Sequence, residues 1–197
     1  MAITLVQTNN QTANCNTATE TIACSGATAN GLGPPPFTTA AVGATPGVGS
    51  TAINLPAEAS NQILDGIDCT INSGVSWDAG TWTIRINCTT SNMNMSISQI
   101  HICRIDSNCV NQASLGSATG LSISLGTTGV KTQTVSGSGA TPGANDRILI
   151  VIVGSNSAMT TQSAEILKDQ NIDSPFTAFI PPKLYTINQA VKRASVY

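Results

Sequence analysis

Gly80 to Cys88 reads GTWTIRINC, and its alternation decides the fold class. Trp82, Ile84, Ile86 and Cys88 fall on one side of an extended chain and Thr83, Arg85 and Asn87 on the other, the period-two pattern of a strand with one buried face. Trp82 is therefore expected to anchor a core. Upstream of it, Ile67, Cys69 and Ile71 alternate in the same way, Asn72 opens a turn, Val75 and Trp77 alternate, and Asp78 to Gly80 turns into the central stretch. After a turn at Thr90 to Asn92, Met93, Met95 and Ile97 repeat the pattern. QIHICRI then presents Ile100, Ile102 and Arg104 on one face and His101, Cys103 and Ile105 on the other, before a turn at Asp106 to Asn108.

Leu121, Ile123 and Leu125 predict a further strand, with a tight turn at Gly126 to Gly129. GVKTQTVSGS, from Gly129, has a weak apolar face and reads as an edge or interface strand. Arg147 to Val153, RILIVIV, is continuously aliphatic and implies a central strand buried on both faces. A short turn of helix is expected from Pro56 to Leu64. Strands spaced this closely by turn residues predict an all-β domain over residues 59–174, an antiparallel β-sandwich of jelly-roll type.

The flanks differ from this body. Residues 1–58 contain only Glu20 and Glu58 as charged residues, and GLGPPPFTTAAVGATPGVGS, from Gly31, excludes a long helix or a central strand. This reads as an extended N-terminal arm that gains order against other protein and crosses between the protomers of a homotrimer, or else as a linker. Residues 175–197 read as an extended C-terminal tail. Ser174-Pro175-Phe176 and Ile180-Pro181-Pro182 interrupt regular structure, and Lys183, Lys192 and Arg193 face no acidic residue in the tail.

In the 197 residues, charged side chains make up 9%, aromatic ones 4%, and the formal charge is −2. That balance gives no general attraction to nucleic acid or to anionic lipid. No run approaches the roughly 20 apolar residues of a membrane span, and the N-terminus lacks the pattern of a secretory signal. The six cysteines, Cys15, Cys24, Cys69, Cys88, Cys103 and Cys109, form no C-x-x-C pair, and His101 is the single histidine. Buried thiols or structural disulfides fit better than a metal site. Cys103 and Cys109 flank a turn and are the candidate disulfide.

Three places in the sequence hold residue types that could carry chemistry. His101 shares a strand face with Cys103, the arrangement an activated thiolate would need, but no third group orients the pair. Asp65 with Asp68, and Asp169 with Asp173, are carboxylate pairs whose spacing suits turns as well as glycoside hydrolysis. Asn10, Asn87 and Asn94 lie in N-x-S/T sequons, expected by coincidence in a chain so rich in Asn and Thr. No phosphate-binding, dinucleotide-binding or calcium-binding motif is present, so a noncatalytic protein without a cofactor is expected.

From Gly80 to about Pro175, GTWTIRINCTT, QIHICRIDSNCVNQASLGSATGLSISLGTTGVKTQTVSGS, TPGANDRILIVIVGSN and NIDSP resemble, in texture and word order, a β-rich virion protein type of environmental tailed bacteriophages. The resemblance implies a capsid decoration or cement protein on the outside of the shell, commonly trimeric, with the major capsid protein as partner. Its alternative is a fibre or adhesin domain that recognises a cell-surface glycan. In the cement reading Tyr185, Val191, Val196 and Tyr197 supply apolar anchors to the shell, and Lys183, Lys192 and Arg193 meet its acidic groups.

Overall fold

The computed structural model describes residues 2–7, 38–42, 44, 46–47, 50–71, 75–107, 111–167 and 169–178. Among them the regular structure is entirely β. The strands are β1 (Ala2–Gln7), β2 (Thr38–Val42), β3 (Ser50–Leu55), β4 (Gln62–Thr70), β5 (Val75–Ser76), β6 (Gly80–Thr90), β7 (Met95–Ile105), β8 (Asn111–Ala118), β9 (Ile123–Ser124), β10 (Gly129–Gly137), β11 (Arg147–Asn156), β12 (Gln162–Leu167) and β13 (Asn171–Ala178).

Hydrogen bonding runs in a closed ring, β6-β10-β8-β7-β11-β4-β2-β1-β13 and back to β6. Two seams in the ring are narrow: β10 meets β8 only at Gly137 and Gly116, and β13 meets β6 at Asp173 and Thr83. Strands β12 and β3 extend from β6, and β5 extends from β13. The pair β2–β4 is parallel, so the sheet is mixed where a wholly antiparallel one was expected. A parallel pair needs a long connection, and the chain between β2 and β4 supplies one by way of β3.

The central stretch behaves as read. Trp82, Ile84, Ile86 and Cys88 of β6 are buried and join Ile148, Ile150 and Ile152 of β11 in the core. Each such side chain contributes about 1.5–3 kcal/mol when fully buried. β11 is central, paired to β4 on one side and β7 on the other. Gly154, near its end, is required by close packing: a Cβ there would run into Leu64 Cδ1 and lie 2.6 Å from the Ser96 carbonyl oxygen. β10 pairs with β6 along its whole length and with β8 at one position, so it has a neighbour on each side and is not an edge strand of the ring.

Several expectations change. The helical turn over Pro56 to Leu64 does not form, because Glu58 and Asn61 adopt positive φ and β4 begins at Gln62. Met93 lies in a turn and is 83% exposed, outside the alternation of Met95 and Ile97. Of the strand expected around Leu121 to Leu125, Ile123–Ser124 forms a short ladder with β7, and on either side the Leu121 and Leu125 N–H groups donate to the Ser98 and Met95 carbonyls. Within the stretch read as an arm, β1, β2 and β3 are strands of the sheet, and Ile3, Leu5, Ala40, Ile53 and Leu55 enter the core.

Ser174-Pro175-Phe176 does not interrupt the fold either. It lies inside β13, so the strand passes the expected start of the tail. Proline cannot donate to a ladder and is tolerated at irregularities, and the β1–β13 register shifts between Ala2 and Thr4, where Pro175 falls. There the Ser174 hydroxyl donates to the Ile3 carbonyl at 2.8 Å.

Candidate functional site

The turns that join β6 to β7 and β11 to β12 meet at one end of the ring. Asn92 organises the first: its side-chain amide donates to Gln162 Oε1 (2.6 Å) and the Ser163 carbonyl (3.2 Å), while its Oδ1 accepts from the Asn94 backbone N–H (3.0 Å). Asn156, buried at the end of β11, donates from Nδ2 toward the carbonyls of Leu55, Pro56 and Thr160 and ties the second turn to β3. The backbone N–H of Ser157 donates to the Asn94 carbonyl at 2.9 Å and joins the two turns.

Between them lies an open depression of about 360 Å³ lined by Met93 to Ser96, Ser122, Ser124 and Ser155 to Ser157. Its lining is hydroxyl, amide and thioether, with no ionisable side chain. It can offer hydrogen bonds and a soft apolar contact to a ligand, and its lining supplies no acid or base. Met93 stands at its rim, and the turn after Ser157 carries a second exposed methionine, Met159.

The groups that sequence singled out for chemistry lie elsewhere and are held by structural partners. Cys103 is in a disulfide, so it offers no thiolate to His101. Its bonding partner lies outside the described residues, as do Cys15, Cys24 and the expected partner Cys109. His101 is 1% exposed and its Nε2 lies 2.7 Å from Gln99 Oε1. Gln99 Nε2 donates to Asn61 Oδ1 at 3.0 Å, so Gln99 Oε1 is the acceptor and the imidazole carries its proton on Nε2. Burial lowers the pKa of His101 below its ordinary value.

This shift has a direction. The unfolded chain takes up the His101 proton first, so the stability contributed by the neutral buried ring is present above about pH 6.5 and is lost as pH falls below it. The slope reaches about 1.4 kcal/mol per pH unit at most. Urea melts between pH 7.5 and 5 should show this component in the native protein and lose it in His101→Leu. An equal pH dependence in both would show that His101 is not its source.

Asp68 pairs with Arg147 at 3.0 Å, and the buried Asp65 accepts from the Gly66 backbone N–H at 2.9 Å. Asp173 pairs with Arg85 at 2.8 Å, and Asp169 accepts from the Asn87 side-chain amide. The carboxylates proposed in pairs thus face separate partners. Both tryptophans are buried: Phe176 stacks on Trp77 and meets Trp82 edge-on.

Cys69 and Cys88 are free and buried. Burial raises both thiols, with the Asp68 charge adding to the effect at Cys69. Thiol labelling of the folded, unreduced protein should therefore miss both sites and reach both in denaturant. Fast labelling of either in the folded state would place it at the surface.

Among the described residues, no group of three or more His, Cys, Asp or Glu is placed to hold a metal ion, and no helix is long and apolar enough to cross a membrane. The candidate shell-contact residues Lys183, Tyr185, Val191, Lys192, Arg193, Val196 and Tyr197 lie outside the described residues. The depression went unread in the sequence because its Ser and Asn residues are scattered from 94 to 157, and only Met93 and Met159 carried a signal, as large apolar residues in turns.

No family model matches this chain, and no curated protein matches it. Solved structures that match include two crystal structures of a CocE/NonD family hydrolase from Staphylococcus aureus, with TM-scores of 0.45 and 0.44. In both, identity is 9%, and the match covers 68% of this chain and 34% of that one. This chain therefore aligns with about a third of the hydrolase, and a likeness at this level carries no activity across.

Proposed function

We propose that the protein is a noncatalytic virion structural protein, a capsid cement or decoration protein bound to the outside of the shell. The observation that carries this reading is the outward face of β6 and β10. Thr83 lies opposite Thr134, Thr81 opposite Ser136, and Arg85 opposite Thr132. Val130 is half-exposed on the same face. Its one cation, Arg85, is already paired with Asp173. A hydroxyl-rich face with little free charge is desolvated at low cost against another protein, and a protein of this kind gains affinity from area and repetition.

The occupied state of Cys103, Asp68 and Asp173, and the burial of His101, support a role without catalysis. In this reading the ring is a flattened sandwich of jelly-roll type, with its two narrow seams as corners. The protein is a homotrimer on the major capsid protein, and it needs no cofactor, nucleic acid or membrane. The tail adds Tyr185, Val191, Val196 and Tyr197 as anchors, with ion pairs from Lys183, Lys192 and Arg193 worth only about 0–1 kcal/mol each if exposed.

Two variants test it. Because β13 runs to Ala178 with Phe176 in the core, the tail deletion begins at Phe179 and removes residues 179–197. Thr134→Lys places a charge on the exposed face. Both should lower retention on purified capsids through heating or osmotic shock while leaving the isolated protein folded. Unchanged retention of Thr134→Lys would remove this face from the contact.

The alternative, a fibre or adhesin domain, is favoured by the Ser- and Asn-lined depression, which suits a hydroxylated ligand such as a glycan. Ser124→Trp would block such a site and abolish glycan-array binding, with no effect on capsid retention.

A further inference from the structure

The depression at the end of the ring has a fixed floor and uncommitted walls. In the floor, Asn156 commits its whole side chain to the fold, with Nδ2 directed at three backbone carbonyls and Oδ1 accepting from the Ala158 N–H at 2.9 Å. Three hydroxyls are held by the backbone. Ser124 Oγ accepts from the Gly126 N–H at 3.0 Å, Ser155 Oγ accepts from the Asn61 N–H at 3.4 Å, and the Ser157 hydroxyl donates to the Asn94 carbonyl at 3.3 Å. Each keeps hydrogen-bonding capacity in reserve: a proton on Ser124 and Ser155, lone pairs on Ser157. Gly126 packs tightly under this side, where an added Cβ would lie 2.9 Å from Ser124 Oγ and 3.2 Å from Met93 Cα.

In the walls, the side chains of Asn94, Ser96 and Ser122 line the depression and, among the described residues, make no hydrogen bond. Polar groups that the fold orients and leaves unused converge on one small volume. Met93, exposed at the rim, adds a polarisable apolar surface beside them.

The chemistry of this lining narrows the ligand. Hydroxyl and amide groups both donate and accept, so they match a ligand whose polar groups do the same. An ion would give up its hydration with no opposite charge to meet it. A wholly apolar ligand would cover the serines and leave them unpaired. A pyranose ring carries hydroxyls around its edge and C–H groups on its faces, and the faces suit the Met93 thioether. The volume of about 360 Å³ lies at the lower end of small-molecule sites.

We infer that the depression binds one neutral pyranose residue of a glycan, with Asn94, Ser96 and Ser122 on its hydroxyls and Met93 against a C–H face. The inference rests on the glycan reading of the depression and separates it from the fibre. No residue of β6 or β10 lines the depression, so contact with a shell through the outward face of those strands and contact with a sugar use different residues. With no aromatic ring in the lining a single contact is weak, and copies repeated over a particle strengthen it by avidity.

The test is saturation-transfer NMR of the intact protein with the methyl glycosides of glucose, galactose, mannose and N-acetylglucosamine, and with N-acetylneuraminic and glucuronic acids as charged counterparts. At least one neutral glycoside should give a signal several-fold above that of either acid. Ser122→Trp, at an exposed position with no hydrogen bond to lose, should abolish the signal. Met93→Ala should weaken it several-fold, and both variants should melt as the native protein does. If Ser122→Trp does not fold, Met93→Ala decides. No signal from any neutral glycoside, equal signals from the acids, or signals indifferent to the substitutions would overturn the inference. A glycan array probed with bead-coupled protein should show binding to glycans that end in the preferred sugar. Binding of the free glycoside without any array binding would assign the site to free sugars and overturn the glycan part. These measurements use the isolated protein, so their failure is distinct from a failure of capsid retention.

Discussion

Replacing Trp82 by alanine should cost about 3–5 kcal/mol of stability, the range for a large aromatic side chain removed from a packed core. At about 2–4 °C per kcal/mol for a chain of this size, the melting temperature should fall by roughly 6–20 °C. Trp82 is fully buried, its ring edge-on to Phe176 at a centroid distance of 4.9 Å, and Phe176 stacks on Trp77 at 5.1 Å. The three rings join β6 and β13, so the cavity would open at one of the two narrow seams of the ring. Gly137 fits beneath the indole, where an added Cβ would lie 2.7 Å from Nε1. Among the described residues the buried indole N–H has no hydrogen-bond partner, so Trp82→Phe loses packing volume and no hydrogen bond to them and should cost less than alanine. A melt unchanged by Trp82→Ala would mean that the ring is not closed around this residue.

The second large effect is expected at Arg147. Its guanidinium meets Asp68 at 3.0 Å with both side chains largely buried. Arg147→Met keeps the stem and leaves the carboxylate without that partner, a change that costs about 3–5 kcal/mol for a buried pair. Burial already raises the Asp68 pKa, and Arg147 opposes that shift. In the variant the rise is unopposed. An acid whose folded pKa exceeds its unfolded value binds its proton more tightly when folded, so stability increases as pH falls through the folded pKa toward the ordinary carboxylate range near 4. The loss should therefore be largest near pH 7 and shrink by pH 4.5, as measured by urea melts of both proteins at each pH. The His101 contribution is common to both and cancels in the difference. An equal loss at both pH values would show that it does not come from the unpaired Asp68 charge, and would assign it to the other contacts of the guanidinium.

The strands that were legible are those in which burial and alternation coincide. β6 shows one buried face, and β11 shows a continuous aliphatic run because both of its faces are covered. β8, NQASLGSA, offers one fully buried residue, Leu115, and is held by its ladder to β7, so no periodicity marks it. β1 contributes Ile3 and Leu5 to the core, but its partners lie far along the chain, and pairing at that range leaves no local signal. β13 was obscured by Pro175, whose missing donor is offset by the Ser174 hydroxyl, a substitution visible only in three dimensions. Charge pairing was equally hidden: Arg147 and Asp68 are brought together by the β4–β11 ladder. Of the site, the exclusion of Cys–His chemistry followed from the disulfide at Cys103, whereas the polar depression is assembled from turns and had no spacing to read.

Electron cryomicroscopy of purified particles, at a resolution that traces β-strands, decides whether the protein is the noncatalytic capsid-surface protein proposed above. The expected result is density matching this ring at regular positions on the outside of the shell, with the threonine-rich face of β6 and β10 against the major capsid protein. Shells without that density, with the protein found at tail fibres or absent from particles, would contradict it.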